Sequence, residues 1–407
     1  MIKRCSLFAQ VLMRISRRSF GAAVRRHHGE KGAKGFTCWE QFVAMLYAQV
    51  AGAHSLREIC GGLASAAGKL VHLGVGKAPS RSTLSYANAH RPWRVFEDVF
   101  YSLLHEARFL AAKGKRRFRF KNPLLSLDAT VIDLCAEVFD WARFRRTKGG
   151  VKVHVMLDHQ GCLPCWALVT EGAVHEVNAA RTLHFAPGTI VAMDRAYVDY
   201  ALFASWCAAG VYFVTRLKRN AAYRVVSRRF RPFGRNILAD EIIEFTGPVT
   251  SRRCPYPLRR IVVWDADNER EIVLLTNHPA FGSTTIARIY KQRWQIELFF
   301  KALKQNLRVK TFVGTSENAV RIQIWTALIA MLVLKIQQMG SRFGWSLSHL
   351  AALFRLNAMA HRDLDAWLEN PYVISTSDPP EEDLPLFANI LDSRRGGHEI
   401  ETGLEGV

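Results

Sequence analysis

The sequence has few acidic residues and no long uninterrupted apolar segment. Asp and Glu together number 35 among 407 residues, against 56 Lys and Arg. The resulting formal net charge of +21 at pH 7 attracts polyanions. Hydrophobic residues make up 49% of the chain, enough for a sizeable core and, at this length, for two or three domains. We therefore expect a globular protein whose leading partner is DNA or RNA, with solubility or membrane-surface affinity as the alternative reasons for the charge.

The chain also lacks the sequence features of an exported or membrane-spanning protein. Its first residues include several Arg among apolar residues, without the continuous apolar stretch and cleavage site of a secretory signal. The most apolar stretch, 322–334, is short for a membrane span and is bracketed by Arg321 and Lys335. It is expected to form a buried core helix.

Paired cysteines are scarce as well. The eight cysteines are scattered rather than arranged as the framework of a small secreted domain, which predicts reduced thiols. Cys162 and Cys165 form one Cys-x-x-Cys, with His154 and His159 nearby. No second pair completes a zinc pattern, so a metal at this position is the minor alternative.

The spacing of apolar residues changes along the chain. It is helical from 36 to about 108, and strand-like runs begin at 123 and return between 211 and 279. The short apolar strand at 189–193 suits a buried parallel position, and together these elements predict an α/β core. The predicted divisions are a basic N-terminal segment at 1–35, a helical DNA-binding domain at 36–118, the first part of the core at 119–210, a β-rich insertion at 211–284, the last part of the core at 285–345, and a C-terminal helical segment with an acidic tail at 346–407.

Two segments have the composition of a DNA-contacting surface. The short helix predicted after Ser80 offers hydroxyls, an amide and Arg, as a DNA-reading helix does, with an ordinary capped surface helix as the alternative. In the insertion, basic residues alternate with aromatic ones, which suits a surface that covers a bound strand. These residues are Arg216, Lys218, Arg219, Arg224, Arg228, Arg229, Arg231, Arg235, Arg252 and Arg253, interleaved with Tyr212, Tyr223, Phe230 and Trp264.

Three acids are placed at the ends of predicted elements. Asp128 ends the first strong strand, Asp194 follows the strand at 189–193, and Glu297 lies on an amphipathic helix. Phosphodiester chemistry at neutral pH uses two hard divalent ions about 3.5–4 Å apart, held by oxygen ligands, and carboxylates bridge such ions. Each acid alone also has a structural explanation, such as a turn cap with Thr130 for Asp128 or an ion pair with Arg195 for Asp194.

Glu297 shares its helix with basic residues. At about 3.6 residues per turn, the helix predicted over 290–304 brings the acid and its basic neighbours near one stripe. A surface ion pair between Arg293 and Glu297 is the alternative explanation of this spacing. The residues of the stripe are Tyr290, Arg293, Glu297 and Lys304.

This pattern resembles the bacterial insertion-sequence transposases that use an Asp-Asp-Glu triad and a hairpin intermediate, the insertion sequence four family. Asp128-Ala-Thr resembles the first acidic motif of that family. Asp194-Arg-Ala-Tyr resembles the second, in which Ala196 replaces the usual glycine. The resemblance extends over about 36–335. The family signature, Tyr-(2)-Arg-(3)-Glu-(6)-Lys, falls on Tyr290, Arg293, Glu297 and Lys304.

The resemblance implies a ribonuclease H-like catalytic core interrupted by the β-rich insertion, and a cut-and-paste DNA transposase. It implies Mg²⁺ as cofactor, with Mn²⁺ able to substitute, and double-stranded DNA, both terminal inverted repeats and target, as partner. It further implies a homodimer in the synaptic complex and no membrane partner. The implied location is the nucleoid in the bacterial cytoplasm. A catalytically inactive DNA-binding descendant and a ribonuclease H-like nuclease are the rival interpretations. The implied catalytic and metal-binding residues are Asp128, Asp194 and Glu297, and the implied DNA-binding residues are Tyr290, Arg293, Trp294, Lys304, Arg195 and Trp264.

Overall fold

The computed structural model describes most of the chain between residues 5 and 373. These residues form a helical N-terminal region, one large mixed sheet, and helices that cover the sheet. The predicted mixed α/β class is therefore confirmed. The predicted acidic tail, Arg231 and Arg235 lie outside the described residues, which are 5–114, 118–135, 138–145, 148–230, 232, 236–307 and 312–373.

Helices with capping residues build the N-terminal region. One helix starts with a capping box, in which the Thr37 hydroxyl accepts from the Glu40 N–H and the Glu40 carboxylate accepts from the Thr37 N–H. The run predicted after Ser80 is also a helix, with that hydroxyl at its N-cap. Residues 1–35 contain two helices whose apolar side chains, such as Phe8, are buried. The helices of this region are α1 (Leu7–Met13), α2 (Arg17–Arg26), α3 (Cys38–Ala51), α4 (Leu56–Ser65), α5 (Arg81–His90) and α6 (Arg94–Ala112).

Ten strands of the described chain form one sheet. The apolar runs that predicted strands do form strands, and the run at 189–193 gives a strand that is buried along its whole length. The strands are β1 (Leu124–Leu134), β2 (Arg143–Arg145), β3 (Lys148–Asp158), β4 (Leu163–Glu171), β5 (Ile190–Met193), β6 (Tyr212–Arg216), β7 (Tyr223–Arg228), β8 (Ile237–Phe245), β9 (Leu258–Asp265) and β10 (Arg270–Thr276).

The order of the strands brings two acids side by side. It reads β2-β3-β1-β5-β6-β10-β9-β8-β7, with β4 also paired to β3. Strands β4, β3 and β1 are antiparallel neighbours, whereas β1, β5 and β6 run parallel. In the register of β1 and β5, Leu127 pairs with Met193. The residues that follow, Asp128 and Asp194, therefore lie on neighbouring chains, which in a sheet are about 4.8 Å apart.

Helices cover the sheet and complete the fold. The helix that follows β5 is capped by Asp199, whose side chain accepts from the Leu202 N–H. The remaining helices are α7 (Glu176–Arg181), α8 (Tyr200–Ala208), α9 (Pro248–Arg253), α10 (Ser283–Gln292), α11 (Trp294–Asn306), α12 (Glu317–Gly340), α13 (Leu347–Asn357) and α14 (Leu364–Glu369).

Helix α12 contains the apolar stretch predicted at 322–334. Among the described residues it is the one helix long and apolar enough to cross a membrane, but 89% of its most apolar window is buried inside the protein. It packs against α3, α5, α6 and β4. The Trp325 ring lies nearly parallel to that of Trp93, with 6.4 Å between ring centroids. The predicted buried core helix is confirmed, and it joins the N-terminal helices and the sheet in one hydrophobic core.

The predicted insertion extends the same sheet. Strand β10 pairs with β6, and β9, β8 and β7 follow toward the edge. A fully buried ion pair joins β8 to β9, with 2.6 Å between Arg259 Nη2 and Asp240 Oδ2. Arg259 Nη1 also donates to the Phe281 carbonyl oxygen at 2.5 Å. Because Phe281 lies two residues before the helix that starts at Ser283, this arginine ties the insertion to the chain that enters the next helix.

The cysteines are free thiols, as the sequence predicted. The two sulfur atoms of the Cys-x-x-Cys pair have different partners. Cys165 Sγ donates to the Met156 carbonyl oxygen at 3.3 Å, and Cys162 Sγ lies 3.9 Å from Gln295 Oε1.

Candidate active site

Asp128 lies where β1 loses one of its two neighbours. Strand β1 continues to Leu134, so the prediction that Asp128 ends the strand is wrong. The parallel pairing with β5 stops at Leu127, whereas the antiparallel pairing with β3 continues through Asp128, opposite Val155. The carboxylate therefore stands at the point where the sheet opens between β1 and the turn after β5.

Asp194 caps a short turn of 3-10 helix over 195–197. Its Oδ1 accepts from the Ala196 N–H at 2.5 Å, and its carbonyl oxygen accepts from the Thr215 hydroxyl at 3.1 Å. Ala196 lies inside this turn and is not among the described residues with positive φ. The backbone therefore does not require glycine here, and the departure from the family motif causes no strain. Arg195, one of the predicted DNA-binding residues, is exposed.

The signature residues fall on two helices rather than on one. Helix α10 ends at Gln292 and α11 begins at Trp294, with Arg293 at the junction. The Arg293 N–H donates to the Tyr290 carbonyl oxygen and the Ile296 N–H donates to that of Arg293. These bonds span three residues instead of four, the tighter 3-10 geometry, and so the predicted continuous helix is interrupted at this arginine.

Arg293 joins two of the predicted acids. Its Nη1 lies 3.3 Å from Asp128 Oδ2, and its Nη2 lies 2.5 Å from Glu297 Oε1. The side chain of Arg293 is 12% exposed, those of Asp128 and Glu297 18% and 33%. One guanidinium thus holds a carboxylate of the sheet and a carboxylate of α11 close together in a partly dehydrated space.

The electrostatic setting of Asp128 differs from that of a surface acid. Burial raises its pKa to about 6, although the Ala129 N–H and Arg293 lower it, and the charges of Asp194 and Glu297 add to the rise. Burial lowers the pKa of Arg293, but the charges of Tyr290 and of the two acids outweigh it, so this pKa is raised. The arginine stays charged and partly offsets the repulsion among the three acids.

The donor set suits a hard divalent cation. Asp128, Asp194 and Glu297 offer only carboxylate oxygens, the ligands that Mg²⁺ prefers. Arg293 contributes positive charge between two of them, as a cation would. Within the part of the chain that the structure describes, no three His, Cys, Asp or Glu residues are already arranged to hold a metal ion. The residues fit such an ion in chemistry, provided that Arg293 releases the carboxylates.

A cavity of about 850 Å³ opens beside Arg293, between the β9–β10 hairpin and helices α10 and α11. Trp264 comes from the hairpin and Trp294 from the start of α11, and these rings are 39% and 56% exposed. We call this cavity the groove. It is lined by the faces of these two indoles, by several cationic side chains and by two Asp. Its charged lining residues are Arg216, Arg270, Arg288, Lys291, Arg293, Asp265 and Asp267.

The remaining predicted DNA-binding residues, Tyr290 and Lys304, contact other groups of the protein. Tyr290 is 8% exposed and lines the groove, with the guanidinium carbons of Arg216 and Arg293 each 5.5 Å from its ring centroid. Lys304 Nζ donates to the Val131 carbonyl oxygen at 2.9 Å, farther along β1 than Asp128. The phosphate-binding role of Lys304 stays a prediction.

The interleaved aromatics of the insertion do not all face the groove. Tyr212 packs on His278, with 4.2 Å between ring centroids. Tyr223 lies 5.6 Å from the Arg260 guanidinium carbon, while Phe230 is 86% exposed. Of the four aromatics singled out in the insertion, Trp264 alone lines the groove.

Helix α5 presents a polar face to solvent. The buried residues Leu84, Ala87 and Asn88 point inward, and Tyr86 is 67% exposed, stacked on His90 at 4.1 Å between centroids. The DNA-reading role of this helix stays a prediction. The exposed residues of this face are Arg81, Ser82, Ser85, Tyr86 and His90.

Some buried polar residues near the acids were not predicted to have a role. Lys152 and His154 alternate with valines on β3, and both are buried. Glu176 forms an ion pair with Lys152, at 2.8 Å between Nζ and Oε1, and Tyr197 is fully buried in the turn after Asp194. The available signal was a lysine and a histidine at alternate positions of an otherwise apolar strand, which marks one polar spot on a buried face.

Two family profiles match separate parts of the chain. The sequence profile of the family described as Transposase DDE domain matches residues 119–333. A second profile, described as Domain of unknown function (DUF4372), matches residues 3–76 and so crosses the boundary predicted at 35.

Individual relatives agree with the first profile. A protein of Sinorhizobium fredii named as transposase y4zB is 31% identical over 305 residues, 74% of this chain and 83% of its own length. One of Geobacillus stearothermophilus, named as a transposase for insertion sequence element IS5377, is 31% identical over 62% of this chain and 66% of its own length. A solved piggyBac transposase synaptic complex with hairpin DNA aligns over 98% of this chain and 86% of that chain with a TM-score of 0.42 and 9% identity, too low to support an argument.

Proposed function

Because this chain belongs to the family of transposases with a DDE domain, we propose that it moves an insertion sequence by cutting and rejoining DNA with Asp128, Asp194 and Glu297. The observation that supports this assignment is the meeting of the acids. Two of them follow aligned residues of neighbouring parallel strands, and the third is linked to the first through Arg293. This placement of three carboxylates from distant parts of the chain near one opening of the sheet supports a shared site rather than three separate caps.

The strand order supports a ribonuclease H-like core. An antiparallel set of β4, β3 and β1 continues into parallel β5 and β6, with Asp128 on β1 and Asp194 directly after β5. The β-rich segment follows β6, and α10 and α11 return to the acids. We assign the predicted core parts, 119–210 and 285–345, and the insertion, 211–284, on this basis. The region at 36–118 is assigned to DNA binding.

Divalent metal ions belong to the chemistry of this site. Asp128, Asp194 and Glu297 would hold Mg²⁺, or Mn²⁺ in its place. When bound, such ions activate the attacking oxygen and stabilise the leaving oxygen of a phosphodiester. Arg293 would move from the two carboxylates to a phosphate of the DNA, since a guanidinium binds phosphate oxygens as well as it binds carboxylates.

The reaction needs no nucleophile from the protein. Water cleaves at the element end and leaves a 3′ hydroxyl, which attacks the opposite strand and closes a hairpin. Water then reopens the hairpin, and the same hydroxyl joins the element to target DNA. In each step the attacking oxygen bonds to phosphorus opposite the leaving oxygen, which departs. A single carboxylate site can therefore serve both hydrolysis and transesterification.

The groove provides a place for a base that leaves the duplex. Closing a hairpin bends the strand sharply and removes a base from its stack, and an aromatic face can restore about 1–3 kcal/mol. Trp294 and Trp264 expose their rings on two walls of the same cavity, beside the cationic residues. The hairpin route is therefore the part of the proposal that rests on the groove.

Loss of either indole is expected to impair the hairpin step. For Trp294→Ala or Trp264→Ala we expect about 5-fold to 150-fold less hairpin product, the equivalent of about 1–3 kcal/mol of stacking. Gel analysis of hairpin and nicked products measures the effect. Tyr256→Ala is the matched control, because Tyr256 is also 39% exposed but does not line the groove. Equal losses in the control and in both Trp variants would contradict a stacking role.

The function itself is tested with DNA that carries the inverted repeats flanking the coding region. Incubated with that DNA, target DNA and Mg²⁺, the protein is expected to release hairpin ends and to give joined products. Nicked ends without joining would instead identify a ribonuclease H-like nuclease. Specific binding without cleavage would identify an inactive descendant, although the unstrained turn at Ala196 removes the sequence argument for inactivity.

The partners follow from the reaction. Two element ends must be held together for joining, so we propose a homodimer in the synaptic complex and double-stranded DNA, repeats and target, as the partner. The net charge of +21 suits a polyanion of this kind. The expected place of action is the nucleoid of the bacterial cytoplasm.

A further inference from the structure

A second polar group lies on the opposite face of the sheet from Arg293. In the pairing of β1 with β3, Asp128 is opposite Val155, whereas Ala129 is opposite His154. Because side chains alternate between the two faces of a sheet, His154 and Lys152 point away from the face of Asp128 and Arg293. Both residues are buried, with exposed fractions of 0% and 6%.

Lys152 is bound to the first residue of helix α7. Its Nζ lies 2.8 Å from Glu176 Oε1 and donates to the Val174 carbonyl oxygen at 2.7 Å. The side chains of Lys152 and Glu176 are 8% and 25% exposed. Although burial raises the pKa of Glu176, the hydrogen bond and charge of Lys152 lower it below the ordinary value. The pair fixes the start of α7 to β3.

The last residue of α7 is bound to the segment that follows Asp194. Arg181 Nη2 lies 2.8 Å from Asp199 Oδ2, and Asp199 in turn caps α8. Between these two ties, α7 packs against the 3-10 turn that contains Tyr197. The six-residue helix thus spans from β3, the neighbour of the Asp128 strand, to the turn after Asp194 and the start of α8.

The turn at Asp194 needs such support because it has left the sheet. Strand β5 ends at Met193, and Tyr197 is buried where the charges of Asp128, Glu176 and Asp194 all act on it. A shift of α7 would therefore move Tyr197 and, with it, the acid three residues earlier. Asp128, by contrast, lies on a strand that is held by backbone hydrogen bonds between β1 and β3.

We infer that helix α7 positions Asp194 relative to Asp128, and that Lys152, Glu176, Arg181 and Asp199 are positioning residues for the metal-binding carboxylates. The inference rests on the proposed function, since it assumes that these two acids share an ion. It gives a role to Glu176, for which the sequence predicted none.

The exposed end of α7 gives the cleanest test. Arg181 is 52% exposed, so Arg181→Gln breaks the tie to Asp199 with little risk to folding. Titration of the full-length protein with Mn²⁺, followed by electron paramagnetic resonance, is expected to show binding several-fold to about tenfold weaker than in the parent. The matched control is Arg26→Gln, which breaks a similarly exposed pair between α2 and Asp98 of α6 and is expected to bind Mn²⁺ like the parent. Parent-like binding by Arg181→Gln would overturn the inference.

The buried end is tested against a buried pair of the insertion. Glu176→Gln and Asp240→Asn each remove one partner of a buried ion pair, and both are expected to lower the melting temperature. If α7 positions Asp194, only Glu176→Gln weakens Mn²⁺ binding, by about tenfold. Equal effects of the two variants on Mn²⁺ binding would show that Glu176 has only a structural role.

A third variant separates failure of this inference from failure of the proposed function. Asp194→Asn removes a proposed ligand and is expected to weaken Mn²⁺ binding more than any α7 variant does. If Asp194→Asn binds Mn²⁺ as the parent does, the metal-site assignment is wrong. If Asp194→Asn loses binding while the α7 variants keep it, only the role of α7 is wrong.

Discussion

Replacing Asp194 with asparagine is expected to lower cleavage of the element end by at least about a thousandfold. Asn keeps the shape of the side chain and can still cap the turn through its amide oxygen. It loses the negative charge, which is the property that a divalent ion needs. Asp128→Asn and Glu297→Gln are expected to have effects of the same size, measured as the rate of end cleavage under single-turnover conditions.

The control for these substitutions lies on the same strand. Asp133 is an exposed acid of β1, five residues beyond Asp128, and Asp133→Asn is expected to cleave like the parent. Double variants of the triad are expected to be little worse than single ones, because residues that act as one unit are not additive. A triad variant that keeps its melting temperature, binds the repeats and still cleaves at the parental rate would remove that residue from the site.

Replacing Arg293 with glutamine is expected to strengthen metal binding and to slow DNA cleavage. Without DNA, Arg293 lies 3.3 Å from Asp128 and 2.5 Å from Glu297, so the guanidinium and a metal ion compete for the same oxygens. At an effective dielectric of about 20, one such charge pair amounts to about 4 kcal/mol before solvation is considered. We expect Mn²⁺ to bind the DNA-free Arg293→Gln protein about tenfold more tightly, while end cleavage falls about a hundredfold because a phosphate contact is lost.

A neighbouring arginine distinguishes this effect from a general loss of charge. Arg288 also lines the groove but lies beside Phe118, with its guanidinium carbon 5.3 Å from that ring. Arg288→Gln is expected to weaken DNA binding moderately and to leave Mn²⁺ binding unchanged. Weaker Mn²⁺ binding by Arg293→Gln would show that the arginine assists the metal rather than competing with it.

Elements with strong local signals were predictable from the sequence. The strand 189–193 is uniformly apolar, and the helix after Ser80 starts at a capping hydroxyl, so each was placed to within about a residue. Helix α12 was recognised as buried because charged residues bracket its apolar stretch. These signals depend only on residues that are near one another in the sequence, so they can be recognised without the tertiary structure.

Other features depended on contacts that no local pattern shows. The apolar periodicity of 290–304 runs without a break, yet Arg293 interrupts the helix where it reaches Asp128. Strand β7 is almost wholly exposed and therefore carries no apolar alternation. The arginines at the N-terminus masked two helices: α1 is short and almost wholly buried, and α2 buries only one face and exposes its arginines. The pairing of Lys152 with Glu176 joins residues of two different elements, and it needed the tertiary structure.

The position of α12 has a consequence for how the protein handles its substrate. This helix is shared between the N-terminal helices and the sheet, and Trp325 and Trp93 stack across the boundary. A duplex held by the N-terminal region therefore cannot swing freely with respect to the carboxylates. Under the proposed function, the folded protein therefore sets the angle at which an element end enters, and differences between ends are accommodated by the DNA and by the β9–β10 hairpin, which carries Trp264.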